Sequence, residues 1–342
     1  MKHNIGDLYQ MQSLPLQAKI SMTIVRVRGW LDHWDDDCYI SFSGGKDSTV
    51  LVDIVYNKMG RTDIPLVFVD TGLEYPEIRE FVKSYGDLVT WLRPEMNFRQ
   101  VIEKYGYPFI SKEVSRSVSD VRKLGDNCYA KKLFDQSESL YSKVKWKFLI
   151  DAPFNISNKC CDQMKKKPLH NYSKELNLKP ITAQMACESK QRMAKWLENG
   201  CNGFDLKMPI SNPMAFWTEQ DVLEYIKINN LPICSVYGEI VTDFDATDDI
   251  EGQMRFDDLT PDLWSDELEQ PKLKTTGCDR TGCMFCGFGC HLDREGEGRF
   301  ERMKFTHPRQ YEWIMKPWKE GGLGYKEVID WINEHGNLDI KY

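Results

Sequence analysis

Cys38-Tyr39-Ile40-Ser41-Phe42-Ser43-Gly44-Gly45-Lys46-Asp47-Ser48-Thr49-Val50-Leu51-Val52-Asp53-Ile54-Val55 is the stretch on which the reading of this chain turns. Residues 38–42 form a short strand-like run, and residues 49–55 read as a buried helix. Between them, one turn carries two glycines, a lysine and two serines. Glycines let the backbone approach an anion closely. The first-turn N–H groups of the following helix point at that anion, and the helix dipole favours negative charge there. Lys46 adds a point charge, and Ser43 and Ser48 add hydroxyl donors. The turn reads as a phosphate-binding loop, although it lacks the GxxxxGK[ST] spacing.

Working outward, residues 16–34 place Ile20, Ile24, Val27, Trp30 and Leu31 at helical spacing, which predicts an amphipathic helix ahead of the first strand. Residues 65–69 read as a second strand and 75–85 as a helix. Val89–Leu92 reads as a third strand and Phe98–Tyr105 as a helix. A later strand over 180–184 precedes a helix from about Ser189. Thr218 is placed to cap a helix over 218–229, whose acidic first turn suits the dipole. Strands alternating with helices predict an α/β fold, a doubly wound, mostly parallel sheet covered on both faces. Ligands of such sheets bind beyond the carboxyl ends of the strands, where the loop lies. From about 238 the pattern turns irregular, acidic and cysteine-rich. Three segments are therefore expected: a helical segment 1–35, a nucleotide-binding α/β domain 36–237, and an acidic, Cys-rich, irregular or helical C-terminal appendage 238–342.

The 342 residues, 41% apolar and 28% charged, suffice for a core domain with a smaller appendage and are not those of a disordered chain. No run approaches the eighteen apolar residues of a membrane span, and the first residues lack the apolar core of a secretory signal. A cytoplasmic location with reduced thiols is the expectation. The net charge of −7 is segregated. Residues 101–170 hold 14 Lys/Arg against 8 Asp/Glu, and residues 238–270 hold 12 acidic residues against one Arg. The basic stretch suits a polyanion, either nucleotide phosphate or nucleic acid. The acidic stretch reads as a solvated face.

Six of the 11 cysteines fall into two groups, Cys160/Cys161 and Cys278/Cys283/Cys286/Cys290. Thiol clusters in a reducing compartment point to metal. Cys283-x-x-Cys286 has the spacing of a metal knuckle. A four-iron–four-sulfur cluster takes four thiolates, and so does structural zinc. Six thiols compete for four places, and Cys278, Cys283, Cys286 and Cys290 could close a local set. Cys38, Cys128, Cys187, Cys201 and Cys234 are scattered and read as apolar packing. His291 and His307 read as structural or surface histidines. The run from Arg299 to Lys304 reads either as a phosphate contact or as a solvated helix face.

Ser43-Gly44-Gly45-Lys46-Asp47-Ser48 resembles the signature of the PP-loop ATP pyrophosphatases, the adenine nucleotide alpha hydrolases. That resemblance implies cleavage between the α and β phosphates of ATP. It gives Ser43, Gly44, Gly45, Asp47 and Ser48 the pyrophosphate side, adds Ser41 to the nucleotide set, and makes Lys46 and Asp47 catalytic. Phe68-Val69-Asp70-Thr71-Gly72-Leu73-Glu74-Tyr75-Pro76-Glu77 resembles the second nucleotide motif of phosphoadenylyl-sulfate (PAPS) reductases, with Asp70, Thr71 and Gly72 toward the nucleotide. Cys160-Cys161-Asp162-Gln163-Met164-Lys165, followed by Pro168-Leu169, resembles the paired-cysteine motif of iron–sulfur adenylyl-sulfate (APS) reductases. Glu188-Ser189 with Arg192 resembles the family's E-S-x-x-R element. Asn212-Pro213 through Trp217-Thr218, Asp221-Val222, Tyr225-Ile226 and Leu231-Pro232 resembles its helix-start motif, where core packing is the expected role of Trp217. The resemblance runs in order over about 36–300. It implies a 4Fe-4S cluster on Cys160, Cys161, Cys283 and Cys286, with Cys278 and Cys290 as alternates and zinc as the second choice of metal. It also implies catalytic roles for Lys165 and Arg192. A mixed set, one of Cys160/Cys161 with Cys278, Cys283 and Cys286, resembles instead the related enzymes of DNA phosphorothioation.

Sulfonucleotide reductases of this kind use a further cysteine in a C-terminal Glu-Cys-Gly-x-His motif. Here no cysteine follows Cys290, and Gly289-Cys290-His291-Leu292 echoes that motif only four residues beyond Cys286. The first expectation is therefore ATP- and Mg²⁺-dependent adenylation of an acceptor, followed by sulfur transfer. The acceptor is a nucleic acid docked on the basic 101–170 region or a related substrate, and a sulfur donor or thiol partner protein is required. The second is reduction of APS or PAPS to sulfite with a thiol partner. The third is a nucleotide-binding regulatory module with a structural cluster. Self-association is expected from the family.

Overall fold

A computed structural model describes residues 2–125, 128–136, 141–242, 271–296 and 298–342. Nearly all of the acidic 238–270 stretch lies outside the described residues. The chain resolves into two compact units, and both are interleaved in sequence. One comprises Met1–Phe68, Tyr75–Trp91 and Tyr172–Thr281; the other comprises Val69–Glu74, Leu92–Asn171 and Gly282–Tyr342. Residues 92–171, placed by sequence within the 36–237 segment, thus group with the C-terminal cysteine region.

The first unit is built on a six-stranded sheet in the order Val89–Leu92, Leu66–Val69, Cys38–Ser41, Lys179–Ile181, Ile210–Ser211, Asn202–Gly203. Cys38–Ser41 pairs in parallel with a strand on either side, Ile40 standing opposite both Leu66 and Ile181. The short Asn202–Gly203 strand pairs antiparallel with Ile210–Ser211 at the edge. After Cys38–Ser41 the chain builds two strands to one side and then crosses to the other. The end of that strand is consequently the switch point of the sheet, the place where sheets of this kind bind ligands. Cys38–Ser41 and its neighbour Leu66–Val69 are buried on both faces, as parallel sheets require.

The helices cover the sheet largely as the periodicity predicts. Leu16–His33 buries Ile20, Thr23, Val27, Trp30 and Leu31 on one stripe. Trp217 is fully buried, and its indole N–H donates to Thr23 Oγ1 at 2.9 Å, which bears out its packing role. Glu219–Asn229 starts at a Thr218 capping box closed by Asp221. The helix expected over 49–55 is displaced: an α-helix runs Lys46–Asp53 and passes into a π turn, Ile54–Lys58. The apolar run Val50–Val55 is buried on every side, so its periodicity carries no signal for where the turn widens. Among the described residues, no helix is long and apolar enough to cross a membrane.

The second unit is mostly helical and centres on a two-stranded parallel pair, Phe109–Ile110 with Gly287–Phe288. A Cβ at Gly287 would stand 2.7 Å from the Phe109 ring and 2.8 Å from Pro108 O, so only glycine permits this approach. Around the pair lie Phe98–Tyr105, Lys112–Leu124 and the C-terminal helices Arg299–Thr306, Pro308–Met315 and Tyr325–Gly336. Tyr325 is fully buried, and its hydroxyl donates to Phe285 O at 2.6 Å.

Candidate functional site

Within the first unit, the phosphate-loop turn forms where the sequence places it, between the strand Cys38–Ser41 and the helix Lys46–Asp53. Gly44 takes the left-handed conformation (φ +70°), and a Cβ there would meet Val82 Cγ2 at 2.7 Å and Ile78 Cγ2 at 3.0 Å. Glycine is thus demanded twice, by backbone conformation and by space. The serines brace the turn from inside. Ser43 N–H donates to Ser48 Oγ at 3.2 Å, the two hydroxyls lie 3.0 Å apart, and Ser48 Oγ donates to Gly45 O at 2.9 Å. The first bond within the helix is Thr49 N–H to Gly45 O, so the N–H groups before Thr49 have no partner within the helix; Gly45 N–H donates to Ser43 Oγ at 3.2 Å instead.

The sequence reading missed what closes over this turn. Tyr237, from the Ser235–Tyr237 turn, is buried, and its hydroxyl accepts from Lys46 N–H at 3.1 Å. It also shares a 2.6 Å hydrogen bond with Thr281 Oγ1. Lys46 does not present its ammonium to open solvent. Nζ donates to Asp279 O at 2.5 Å, lies 3.1 Å from Glu219, and stands 5.4 Å above the Tyr237 ring. Nothing in residues 235–281 signals this packing locally. Asp47 faces a ring of charge. Burial pushes its carboxyl up, Lys46 and Arg280 pull it down, Glu219 pushes it up, and Arg192 pulls it down. Asp47 Oδ1 is buried with no hydrogen-bond partner among the described residues.

Arg192 belongs to the same group. It pairs with Glu188, which itself accepts Met185 N–H at 2.9 Å and has Arg280 4.0 Å away. Burial lowers the Arg192 pKa first, with Arg280 adding to it and Asp47 opposing. Cys187 corrects the expectation of a buried cysteine. It is exposed, donates weakly to Trp217 O at 3.5 Å, and feels Arg280, Asp47 and Glu219; burial of its sulfur is still the main cause of a raised pKa. Cys128 is half-buried, whereas Cys38, Cys201 and Cys234 are buried as expected.

Asp47 supplies a pH prediction. A carboxyl whose folded pKa is raised gives stability that is present in acid and lost as pH rises through that raised value. Asp47→Asn should therefore raise the thermal midpoint near neutral pH, and that gain should vanish in acid. Calorimetry at the two pH values checks this; equal midpoints throughout would contradict it.

Within the second unit, Asp70, Thr71 and Gly72 make a compact turn after Leu66–Val69. Asp70 N–H donates to Leu92 O at 2.8 Å, and Gly72 N–H to Asp70 Oδ1 at 3.3 Å. Arg93 stands 4.0 Å from Asp70. Glu74 is buried and accepts from Thr71 N–H at 3.0 Å and Thr71 Oγ1 at 2.7 Å.

The two distant cysteine pairs converge. Cys160, Cys161, Cys283 and Cys286 line one small cavity with Leu73, Phe98, Pro108, Phe285 and Phe288. Cys160 and Cys161 sit on the short helix Lys159–Cys161, which widens into a π turn, Asp162–Lys166. A π turn aligns residues four and five apart, which sets Lys165 beside the thiols. Lys165 faces Cys283 and lies 3.5 Å from Glu74; burial opposes its charge, but Cys283 and Glu74 outweigh burial and raise its pKa. Burial pushes the Cys283 thiol up to about 11, against the pull of Lys165.

The alternates do not line this cavity. Cys278 belongs to the other unit, and Cys290 is buried with its thiol pushed up to about 12 by burial. Arg302 and Lys304 lie on an exposed face, as one expectation for this run has it, but Arg299 departs from it. Its guanidinium donates to Cys286 O at 3.0 Å and Phe288 O at 2.8 Å while paired with Asp293 at 2.8 Å, so it holds the knuckle backbone. Four thiols line one cavity, which is the number a thiolate-bound cluster takes, but their present arrangement is not that of a closed metal site. Among the described residues, no group of three or more His, Cys, Asp or Glu is arranged to hold a metal ion.

Part of the basic charge of 101–170 is engaged within its own unit. Arg122 donates to the carbonyls of Leu149, Ile150, Ala152 and Phe154, and Lys143 and Lys147 pair with Glu113 and Asp135.

With this geometry in place, the chain can be set beside known proteins. A family model described as phosphoadenosine phosphosulfate reductase domain matches residues 37–287. Two uncharacterized proteins of Methanocaldococcus jannaschii, MJ0066 and MJ0973, are 40% identical over 73 residues and 41% identical over 71. Each match covers 20% of this chain and only 15% and 17% of those proteins' own lengths. Among solved structures, a PAPS reductase from Candida auris in complex with phosphate aligns with a TM-score of 0.35 and 13% identity, covering 69% of this chain and 91% of that one.

Proposed function

Because the chain belongs to the phosphoadenosine phosphosulfate reductase domain family, we propose that it acts on an adenine nucleotide, and specifically that it binds ATP and adenylates an acceptor for sulfur transfer. The observation that carries this reading is the braced turn Ser43–Ser48 at the switch point of the sheet, with the Asp47, Arg192, Arg280 and Glu188 charges gathered beside it. An acceptor oxygen attacks the α-phosphorus, the bond to the bridging oxygen breaks, and pyrophosphate leaves. Helix N–H groups and Lys46 stabilise the charge that develops. Lys46 reaches phosphate by exchanging its contacts with Asp279 O and Glu219. Mg²⁺ would neutralise the leaving pyrophosphate.

Cys160, Cys161, Cys283 and Cys286 would hold a 4Fe-4S cluster, and Lys165 would offset the charge of their thiolates. Such a cluster supplies sulfur or electron chemistry when bound. The acceptor in this reading is a nucleic acid or a related substrate, recognised by those basic residues of 101–170 that remain on the surface.

A second reading, reduction of a sulfonucleotide, is favoured by one observation: the exposed Cys187 thiol lies among the charges around Asp47. There the thiol, whose raised pKa Arg280 partly offsets, would give up its proton, attack the substrate sulfur and displace the nucleotide. A dithiol protein would then release sulfite and become a disulfide.

Anaerobically purified protein given α- and γ-labelled ATP with candidate acceptors should yield pyrophosphate and AMP or an adenylated acceptor. Sulfite from APS or PAPS with reduced thioredoxin, abolished by Cys187→Ser, together with no pyrophosphate from ATP, would replace the first reading by the second.

A further inference from the structure

We propose that Glu74 is a positioning residue that couples the Asp70–Gly72 nucleotide turn to the thiol centre; this rests on the reading that the turn contacts adenine nucleotide. Glu74 is a buried carboxylate with partners on two sides. On one side it accepts both donors of Thr71, the backbone N–H at 3.0 Å and the hydroxyl at 2.7 Å. On the other it lies 3.5 Å from Lys165 Nζ, and Lys165 faces Cys283. A second link runs beside the first through the backbone: Met284 N–H, from inside the Cys283–Cys286 knuckle, donates to Leu73 O at 2.8 Å. Leu73 also lines the thiol cavity.

The turn that follows the second strand and the knuckle that carries two thiols are therefore clamped together, through a side-chain chain and a main-chain bond. Neither can shift without disturbing the other. A ligand that orders Thr71 must also order Glu74, because Glu74 holds both donors of that residue. Glu74 then fixes the ammonium of Lys165 against Cys283. Coupling between two sites is reciprocal, so a group bound at the thiols should tighten nucleotide binding by the same factor by which nucleotide tightens that group. An apolar residue at 74 could fill the same space but could not hold Thr71 and Lys165 at once. That need for a charged group with two-sided reach accounts for a carboxylate kept in a buried position.

The test uses the full chain stripped of metal with a chelator under reducing, anaerobic conditions, and α,β-methylene-ATP as the probe. The rate of iodoacetamide labelling at Cys283 is read by peptide mass spectrometry with and without nucleotide. In the wild type, nucleotide should slow labelling at Cys283 at least about threefold, a change within the range of typical coupling between two sites. In Glu74→Gln, calorimetry should still detect nucleotide binding, but the two labelling rates should be equal. Glu74→Asp, which keeps the charge with a shorter reach, should restore part of the protection. Should Glu74→Gln fail to fold, Lys165→Met cuts the same link at its other end and should abolish protection likewise.

Protection of Cys283 in Glu74→Gln equal to that in the wild type overturns the proposal. So does wild-type protein that binds nucleotide without any change at Cys283. A uniform rise in labelling at all four cysteines, with nucleotide protection retained, would make Glu74 merely structural and also overturns it. Wild-type protein that takes up no adenine nucleotide sinks the ATP reading itself, and the coupling falls with it.

Discussion

Replacing Lys19 by Met should lower the stability of the fold by about 3–5 kcal/mol, the cost of leaving a buried partner charge uncompensated. Lys19 is 2% exposed, and its Nζ lies 2.6 and 2.7 Å from the two oxygens of Asp221 and 2.6 Å from Gln12 O. Asp221 also accepts from Thr218 N–H at 2.6 Å and Thr218 Oγ1 at 2.7 Å, closing the capping box of the Glu219–Asn229 helix. Lys19→Met strands that carboxylate. For a chain of this size the loss corresponds to a fall in thermal midpoint on the order of 10 °C. The double variant Lys19→Met/Asp221→Asn should recover part of the loss, since no unpaired charge remains. A single variant that melts within about 2 °C of the wild type would contradict the argument. Glu219, at the start of the same capped helix, lies 3.1 Å from Lys46 Nζ.

Changing any one of Cys160, Cys161, Cys283 or Cys286 to Ser should remove more than about three-quarters of the iron and sulfide bound by anaerobically reconstituted protein. In the proposed cluster each thiolate would hold one iron, so the loss of one would expose that iron to solvent and weaken the whole. Cys278→Ser and Cys290→Ser should leave the content near that of the wild type. The difference follows from placement: the first four line one cavity, and Cys278 and Cys290 do not. Iron and sulfide analysis with absorption spectroscopy reads the outcome. Loss on Cys278→Ser with retention on Cys161→Ser would transfer the site to the alternative set. Zinc with no iron or sulfide would replace the cluster by a tetrahedral ion.

The glycine-lined turn between the first strand and its helix was legible because its physics is local. Gly44, Gly45 and the paired serines act within one turn, and the apolar runs on either side announce a strand and a helix. The same holds for the Thr218 capping box and the stripe on Leu16–His33, where pattern and structure agree. The Cys283-x-x-Cys286 knuckle was also visible, as was the pairing of Cys160 with Cys161. Which of six clustered thiols share a cavity was open to the residues alone, and the ordering came from resemblance to a family.

Other features had no local signal. Cys187 reads like its scattered neighbours, yet the turn at Ala186–Glu188 directs it outward among charges. Arg299 stands in a basic run that suggests solvent or phosphate, but it commits its donors to two backbone carbonyls and Asp293. Arg122 likewise looks like part of a polyanion surface and serves as a clamp on a loop. A charge in sequence carries no mark of whether its partner will be solvent, ligand or a carbonyl many residues away.

Chain order alone settled the alternation of strands and helices and the glycine-lined turn at the first strand's end, since each depends on interactions spanning a few residues. Folding in three dimensions decided that residues 92–171 join the C-terminal cysteines, that Tyr237 and Thr281 close on the turn at Ser43–Ser48, and that Glu74 meets Lys165. Those contacts join segments tens to hundreds of residues apart. They exist only once the apolar faces have been buried and the backbone between them has been committed to a path, which no short window of sequence encodes.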